Sequence, residues 1–327
     1  MRRRRCFRCF ICIWIAFFLS FAAAAGDLPE RVVAVGRAVG IDVQCGGLLV
    51  VGFSEDSPAR ESGLRRGDRI LRVDGAPVED PEELRVKLQD KSQVTLTASR
   101  NGRQRSFLVA LADSGGVKIL GVNVKTEMAG VGTVTYYDPD TAVFGALGHG
   151  ISGSTGGALF PVQDGYLCRA SIVGAERGRP GAPGMLQGAF DSGAVLGRIT
   201  ANTESGIFGR LFCPDSGEPV PVAERSQIHT GPAELLCSVE GSRVQRFRVE
   251  IRRVYPFDDG TGRNMLLHVT DPALLEKTGG IVQGMSGSPI LQDGRLVGAV
   301  THVLVSDPET GYGIFIESML RAADRAA

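Results

Sequence analysis

Gly284-Met285-Ser286-Gly287-Ser288-Pro289 runs directly into Ile290-Leu291-Gln292, Asp293-Gly294 and Arg295-Leu296-Val297-Gly298-Ala299-Val300. Two apolar runs around an Asp-Gly pair read as strand, tight hairpin turn, strand. The serine at the mouth of this hairpin lies between glycines, on backbone free to turn sharply. A nucleophilic serine needs that freedom: its hydroxyl must stand clear, and nearby N–H groups must converge where an oxyanion develops. The N–H groups of Gly284 and Ser286 are the candidates for that task. A plain Gly/Ser loop between strands fits the same residues, so the rest of the chain must supply a base, an orienting acid and a substrate surface. Ser288 reads as a packing residue at the start of the hairpin.

The chain has four histidines. His149 ends the apolar run Val143-Phe144-Gly145-Ala146-Leu147-Gly148, where a strand opens into the Gly/Ser-rich stretch from Ser152 to Gly157. That setting favours exposure in a site, as a general base requires. His229 lies in a polar segment, and His302 occupies a plain strand position. His268 also reads as a strand residue, and is the substitute base because Asp271 is near it in sequence. Asp271 precedes Pro272 and the helical run Ala273-Leu274-Leu275-Glu276-Lys277, where an acid at the N-cap and a proline at N1 account for it structurally. It is the first candidate acid, with Asp191 and Asp258 as alternatives.

At 327 residues with 44 glycines among Val, Ile and Leu runs, the chain is long enough for about two domains and reads as mainly β with few short helices. Five arginines precede an uncharged run from Cys9 to Ala25, with small residues at Ala23 and Ala25. This describes an export signal or membrane anchor over residues 1–25. The expectation is translocation of the remainder, with membrane contact through the leader. Leader aside, acidic residues outnumber basic ones, and nothing calls for nucleic acid. No metal site or cofactor motif is visible. Cys45, Cys168, Cys213 and Cys237 allow three pairings or none.

Residues 33–111 alternate strands with short helices. Ser57-Pro58-Ala59-Arg60-Glu61-Ser62-Gly63-Leu64 is a capped helical turn ending at glycine, followed by the strand Gly67-Asp68-Arg69-Ile70-Leu71 and the turn Val73-Asp74-Gly75. Asp80-Pro81 opens a second helix. This order resembles the PDZ domain in its bacterial protease-associated form. The resemblance implies that an extended peptide, in trans or in cis, adds to a sheet edge. Its terminus would meet the loop before the first core strand, here Val39-Gly40-Ile41; Gly40 also fits a plain turn.

From residue 117 onward, Gly145-Ala146-Leu147-Gly148-His149-Gly150-Ile151, the uninterrupted run from Thr270 to Pro289 and the segment from Val297 to Gly313 resemble the stage IV sporulation protein B family of exported serine peptidases. The order of leader, PDZ and peptidase (117–327) resembles it too. The resemblance implies His149 as base, Asp271 as third member and Ser286 as nucleophile. It implies self-cleavage and regulated cleavage of a membrane-bound inhibitor of an intramembrane metalloprotease, between the forespore and mother-cell membranes, leading to sigma-factor maturation. Where the family pattern leads one to expect an acid after the histidine, this chain has Ile151-Ser152-Gly153. The order His, Asp, Ser and the hairpin after the serine match a chymotrypsin-like barrel, although Asp271 and Ser286 are closer in sequence than in that fold. An HtrA-like envelope protease, which would carry its PDZ after the catalytic domain, and a non-catalytic PDZ scaffold are the other classes.

Overall fold

The computed structural model describes residues 28–153, 158–213, 217–257 and 260–326, without the side chain of Ser192. The leader and Asp258 lie outside the described residues. In chain order the first elements are β1 (Arg31–Ala34), β2 (Ala38–Phe53), α1 (Pro58–Glu61), β3 (Arg69–Val73), β4 (Ala76–Pro77), α2 (Pro81–Leu88), β5 (Gln93–Arg100), β6 (Arg103–Ala110), β7 (Ala112–Ser114) and β8 (Val117–Ile119). Next come β9 (Val122–Tyr137), β10 (Val143–Ala146), β11 (Asp164–Glu176), β12 (Met185–Thr203), β13 (Gly206–Leu211) and β14 (Pro219–Pro221). The last are β15 (Gly231–Cys237), β16 (Gln245–Val254), β17 (Met265–Val269), α3 (Pro272–Thr278), β18 (Pro289–Gln292), β19 (Arg295–Leu304), β20 (Asp307–Phe315) and α4 (Ile316–Ala326).

Three cores follow from the pairing. The PDZ domain is the C-terminal half of β2 with β3, β5 and β6, packed with α1 and α2 around Leu48, Val50, Ile70, Leu84 and Leu96. Ser57 caps α1 through Arg60 N, and Asp80 caps α2 through Glu83 N, as the local sequence predicts. Buried Asp68 pairs with Arg100 at 2.6 Å and also accepts from Arg65 N, which ties the turn before β3 to β5.

The strands β9, β10, β13, β12, β11 and β2 pair in that order, and β2 pairs with β9 to close the ring. This first barrel is filled by Val39, Ile41, Val43, Val134, Phe144, Leu167 and Ile207. The strands β15, β16, β17, β20, β19 and β18 form a second closed barrel around Leu235, Val249, Leu267, Ile290 and Phe315. Two antiparallel six-stranded barrels are the architecture of chymotrypsin-like peptidases. Between them a seam holds Tyr136, Phe208, Leu291, Ile314 and Met319, the last from α4.

Two sequence expectations change here. The first half of β2 is a strand of the first barrel, and β1 pairs onto β9 beside it, so the residues from 33 to 44 go with that barrel and not with the PDZ core. Within β2, Val39, Gly40 and Ile41 pair with Gly132, Val131 and Gly130 on one side and with Arg169, Cys168 and Leu167 on the other. The proposed peptide-binding residues therefore present no open edge, because the barrel uses both of their hydrogen-bonding sides. Four cysteines of the described residues are free: Cys45, Cys168 and Cys237 are buried and Cys213 is exposed.

Candidate active site

Ser286 sits on the loop that enters β18, at the seam between the barrels. Strand β9 reaches across from the first barrel to hold this loop. Thr133 N donates to Ser286 O at 3.0 Å, Thr133 Oγ1 to Gly284 O at 2.9 Å and Thr135 Oγ1 to Gly287 O at 2.7 Å. From the second barrel, Gly287 N donates to Val300 O at 2.8 Å. Gly287 has φ +94°, and a Cβ there would lie 2.0 Å from Thr133 O and 2.5 Å from Leu147 N. Only glycine lets the two barrels close this tightly on the loop.

The same approach brings in His149. Leu147 N donates to Thr133 O, so the strand end that carries His149 is laced to the strand that holds the serine. Beyond His149 the chain is pinned by Asn202, whose side chain accepts from Ile151 N at 2.8 Å and donates to Ile151 O at 2.8 Å and Phe160 O at 2.9 Å. His149 and Ser286 line one cleft of about 720 Å³. Ile41, Met128, Val131, Ile281, Val282 and Val303 make much of its wall apolar, and Glu204 is its carboxylate among the described residues.

His149 Nδ1 lies 3.0 Å from Gly150 O. A carbonyl only accepts, so the proton is on Nδ1 and Nε2 keeps its lone pair. Burial pushes the His149 pKa below the ordinary imidazole value, only partly offset by the Gly150 bond, which leaves the ring a neutral base at neutral pH. The Ser286 hydroxyl donates to Thr301 O at 2.9 Å. Among the described residues, the N–H groups of Gly284 and Ser286 donate to no acceptor, and both residues line the cleft. They are open donors beside the serine, as an oxyanion hole requires.

The expected His149–Asp271 pair is not formed. Asp271 caps α3: one carboxylate oxygen accepts from Ala273 N at 3.0 Å and the other from Arg248 N at 3.2 Å. These backbone bonds hold its carboxyl below the usual carboxylate range despite burial. An Asp-Pro N-cap saturates its own oxygens locally, and the residue is absent from the cleft wall. Of the alternatives, Asp191 is exposed on β12, where it accepts from Gly193 N. His268 faces Thr310 at 3.4 Å, and His229 pairs with Asp293 on the surface. Ser288 is fully buried beside Cys237, consistent with a packing role.

A residue read as a plain strand position does reach the site. The His302 ring centroid lies 5.1 Å from that of His149, tilted by 34°. Its Nδ1 is buried without a partner among the described residues. Burial, then the neighbouring His149 and Arg263, push its pKa down to about 4. The signal in the sequence was the Asp293-Gly294 hairpin, which folds β19 back along β18 and returns Thr301-His302 to the serine. Thr133, Thr135 and Asn202 gave no comparable signal, because their roles depend on barrel closure.

Known proteins similar to this chain place both of its parts. Residues 49–100 match the PDZ domain model, which agrees with the boundary the strands draw. The magnetosome formation protease MamE of Paramagnetospirillum magneticum is 33% identical over 96 residues, 28% of this chain and 13% of that protein; its counterpart in Magnetospirillum gryphiswaldense is 53% identical over 38 residues, 12% and 5%. The chain thus spans a small part of the length of the curated relatives it matches. Among solved structures, the inactive form of the Rv3671c protease aligns with 60% of this chain and 82% of its own at 14% identity and a TM-score of 0.33. The PDZ domain of an SdrC-like protein from Listeria monocytogenes aligns with 24% and 87% at 21% identity and a TM-score of 0.22. Residues 116–320, more than half of the sequence and nearly all of both barrels, match the model of SpoIVB peptidase S55, and the chain belongs to that family.

Proposed function

We propose that the chain is a serine endopeptidase in which His149 is the general base, Ser286 the nucleophile, and the N–H groups of Gly284 and Ser286 the oxyanion hole. The observation that carries this reading is the meeting, in one apolar cleft at the barrel seam, of a neutral imidazole, a serine hydroxyl and two open N–H donors. The Ser286 hydroxyl turns from Thr301 O toward His149 Nε2, which takes its proton as Ser286 Oγ attacks the scissile carbonyl. His149 then returns that proton to the leaving amine, and water hydrolyses the acyl-enzyme. The Gly150 carbonyl, in place of a carboxylate, orients the ring. β18 ends its ladder with β19 at Pro289↔Ala299. Beyond it Thr301, His302 and Val303 line the cleft, and an extended protein or peptide substrate can pair there.

The finer reading follows the family. The enzyme acts after export, on a membrane-bound inhibitor of an intramembrane metalloprotease, during endospore formation, and releases itself by self-cleavage. The largely apolar cleft wall, with Glu204 as its carboxylate among the described residues, supports a mainly apolar substrate segment. Labelling by a fluorophosphonate probe tests the chemistry: wild type is labelled, while Ser286→Ala is not and His149→Ala is labelled at least about a hundredfold more slowly. A folded wild type that stays unlabelled points instead to a non-catalytic scaffold.

A further inference from the structure

The long hairpin of β11 and β12, with its tip Gly178-Arg179-Pro180-Gly181-Ala182-Pro183-Gly184, carries no chemistry that its sequence declares. Its stem is part of the first barrel, but its far end leaves that barrel and meets the serine loop of the second. There Gln283 N donates to Gly184 O at 2.9 Å, and Leu186 N donates to Gln283 O at 2.8 Å. The two segments form a short parallel bridge at Met185 and Gln283.

This bridge fixes one peptide plane, that between Gln283 and Gly284. A trans peptide carries its carbonyl and its N–H on opposite sides. With the Gln283 carbonyl held on β12, the Gly284 N–H must point the other way, away from the hairpin. That N–H meets no acceptor among the described residues, on a residue that lines the cleft beside Ser286. Reversal of the same plane would break the Leu186 bond and put a carbonyl where the donor stands, which would repel a developing oxyanion.

We infer that the hairpin tip is a positioning element for the oxyanion hole: the Leu186 N–H, by holding the Gln283 carbonyl, keeps the Gly284 N–H aimed at the reacting carbonyl. The inference rests on Ser286 being the nucleophile. The tip is built to be stiff. Gly178 N donates to Thr278 O at the end of α3, and Gly181 N donates to Val305 O on the cleft rim, both at 2.8 Å. A Cβ on Gly184 would lie 2.1 Å from Glu176 O and 2.4 Å from Gly178 N, so the tip closes only around glycine. Leu186 is 1% exposed, and its side chain lies 3.1 Å from where a Cβ on Gly284 would stand. The Gly/Pro-rich composition thus reflects backbone-to-backbone anchoring, which side-chain chemistry would not reveal.

The test removes one N–H. Replacement of Leu186 by the corresponding α-hydroxy acid turns its amide into an ester and keeps the side chain. Leu186→Ala keeps the N–H and serves as the packing control, and Leu186→Pro is a genetic version that removes the donor at greater risk to folding. Hydrolysis of fluorescein-labelled casein and the rate of fluorophosphonate labelling are measured on the full chain. Loss of an oxyanion donor costs about 10²–10³ in kcat. A donor left in place but free to turn away should cost less, about 10- to 100-fold. The expected result is that fall in kcat and in labelling rate for the ester form, with KM within about threefold of wild type and a smaller fall for Leu186→Ala, which keeps the N–H. An ester form that is folded and turns over like wild type, or that changes KM alone, overturns the inference. A wild type that is never labelled sinks the peptidase reading and the inference together, whereas a labelled wild type with an unaffected ester form sinks the inference alone.

Discussion

His302 should make the protein acid-sensitive in a way that one substitution removes. Its ring is packed against His149, its Nδ1 is buried without a partner, and its pKa is pushed down to about 4. In the unfolded chain the same imidazole titrates near 6.5. Above pH 6.5 it is neutral in both states and contributes no pH dependence. As pH falls below 6.5 the unfolded chain takes up a proton that the native ring refuses, so stability drops until about pH 4, where the native ring also protonates. The gap corresponds to about 3 kcal/mol, and the partial exposure of the ring to the cleft reduces this to about 2 kcal/mol. His149, which is pushed down in the same direction, and the Arg263 charge face it, so the slope attributable to His302 has to be isolated by difference. His302→Phe keeps a ring against His149, gives up no hydrogen bond and cannot titrate. Urea unfolding of both proteins at pH 7.5 and pH 4.5 should show the substituted protein gaining about 2 kcal/mol relative to wild type on acidification. An unchanged difference between the two proteins at the two pH values would refute the account of a buried, unpartnered imidazole.

Three other outcomes follow from the site. Asp271→Ala should destabilise by about 1 kcal/mol through loss of the α3 cap and leave kcat within about threefold; a hundredfold loss of turnover at unchanged stability would instead restore Asp271 as the acid that orients His149. Thr135→Val leaves the buried Gly287 carbonyl without its donor and should cost about 1–3 kcal/mol in urea unfolding, while Thr135→Ser, which keeps the hydroxyl, should retain most of that; equal stabilities would mean the bond holds nothing. Because burial lowers the His149 pKa, the acid limb of the kcat/KM profile should fall below pH 6.5, and a midpoint above that value would contradict the neutral, desolvated base.

Local chemistry was legible and closure was not. Ser57-Pro58 and Asp80-Pro81 cap helices wherever they occur, and Asp293-Gly294 makes its hairpin without help, so α1, α2 and the serine hairpin could be read directly. Pairing Ser286 with His149 needed the family resemblance, since the two are brought together by contacts of Thr133 and Leu147 between barrels. Asp271 misled because an Asp-Pro cap looks the same whether or not a histidine is near. Val39, Gly40 and Ile41 misled for a related reason: a strand shows its alternation but not which of its edges is taken, and here β9 and β11 take both. His302 was passed over because a strand residue's neighbours across the barrel have no signature in the strand itself.

Strands β2 and β9 run without interruption from the PDZ domain into the first barrel, paired along Leu49–Phe53 as well as along Ala38–Gln44. They are two staves shared by both structures. From Val124, beside the PDZ core, to Thr133, bonded to the serine loop, β9 covers about 30 Å of extended chain. No swivel separates the modules, and a load on one is borne by the other. Domain surgery must respect this. Excision of residues 33–111 removes a stave and opens the barrel, so a silent product would report collapse and carry no information about regulation. An informative trim stays between Ser54 and Gly121, whose backbones already meet at 3.0 Å, and joins β2 to β9 by a short turn that leaves the ring of six strands closed.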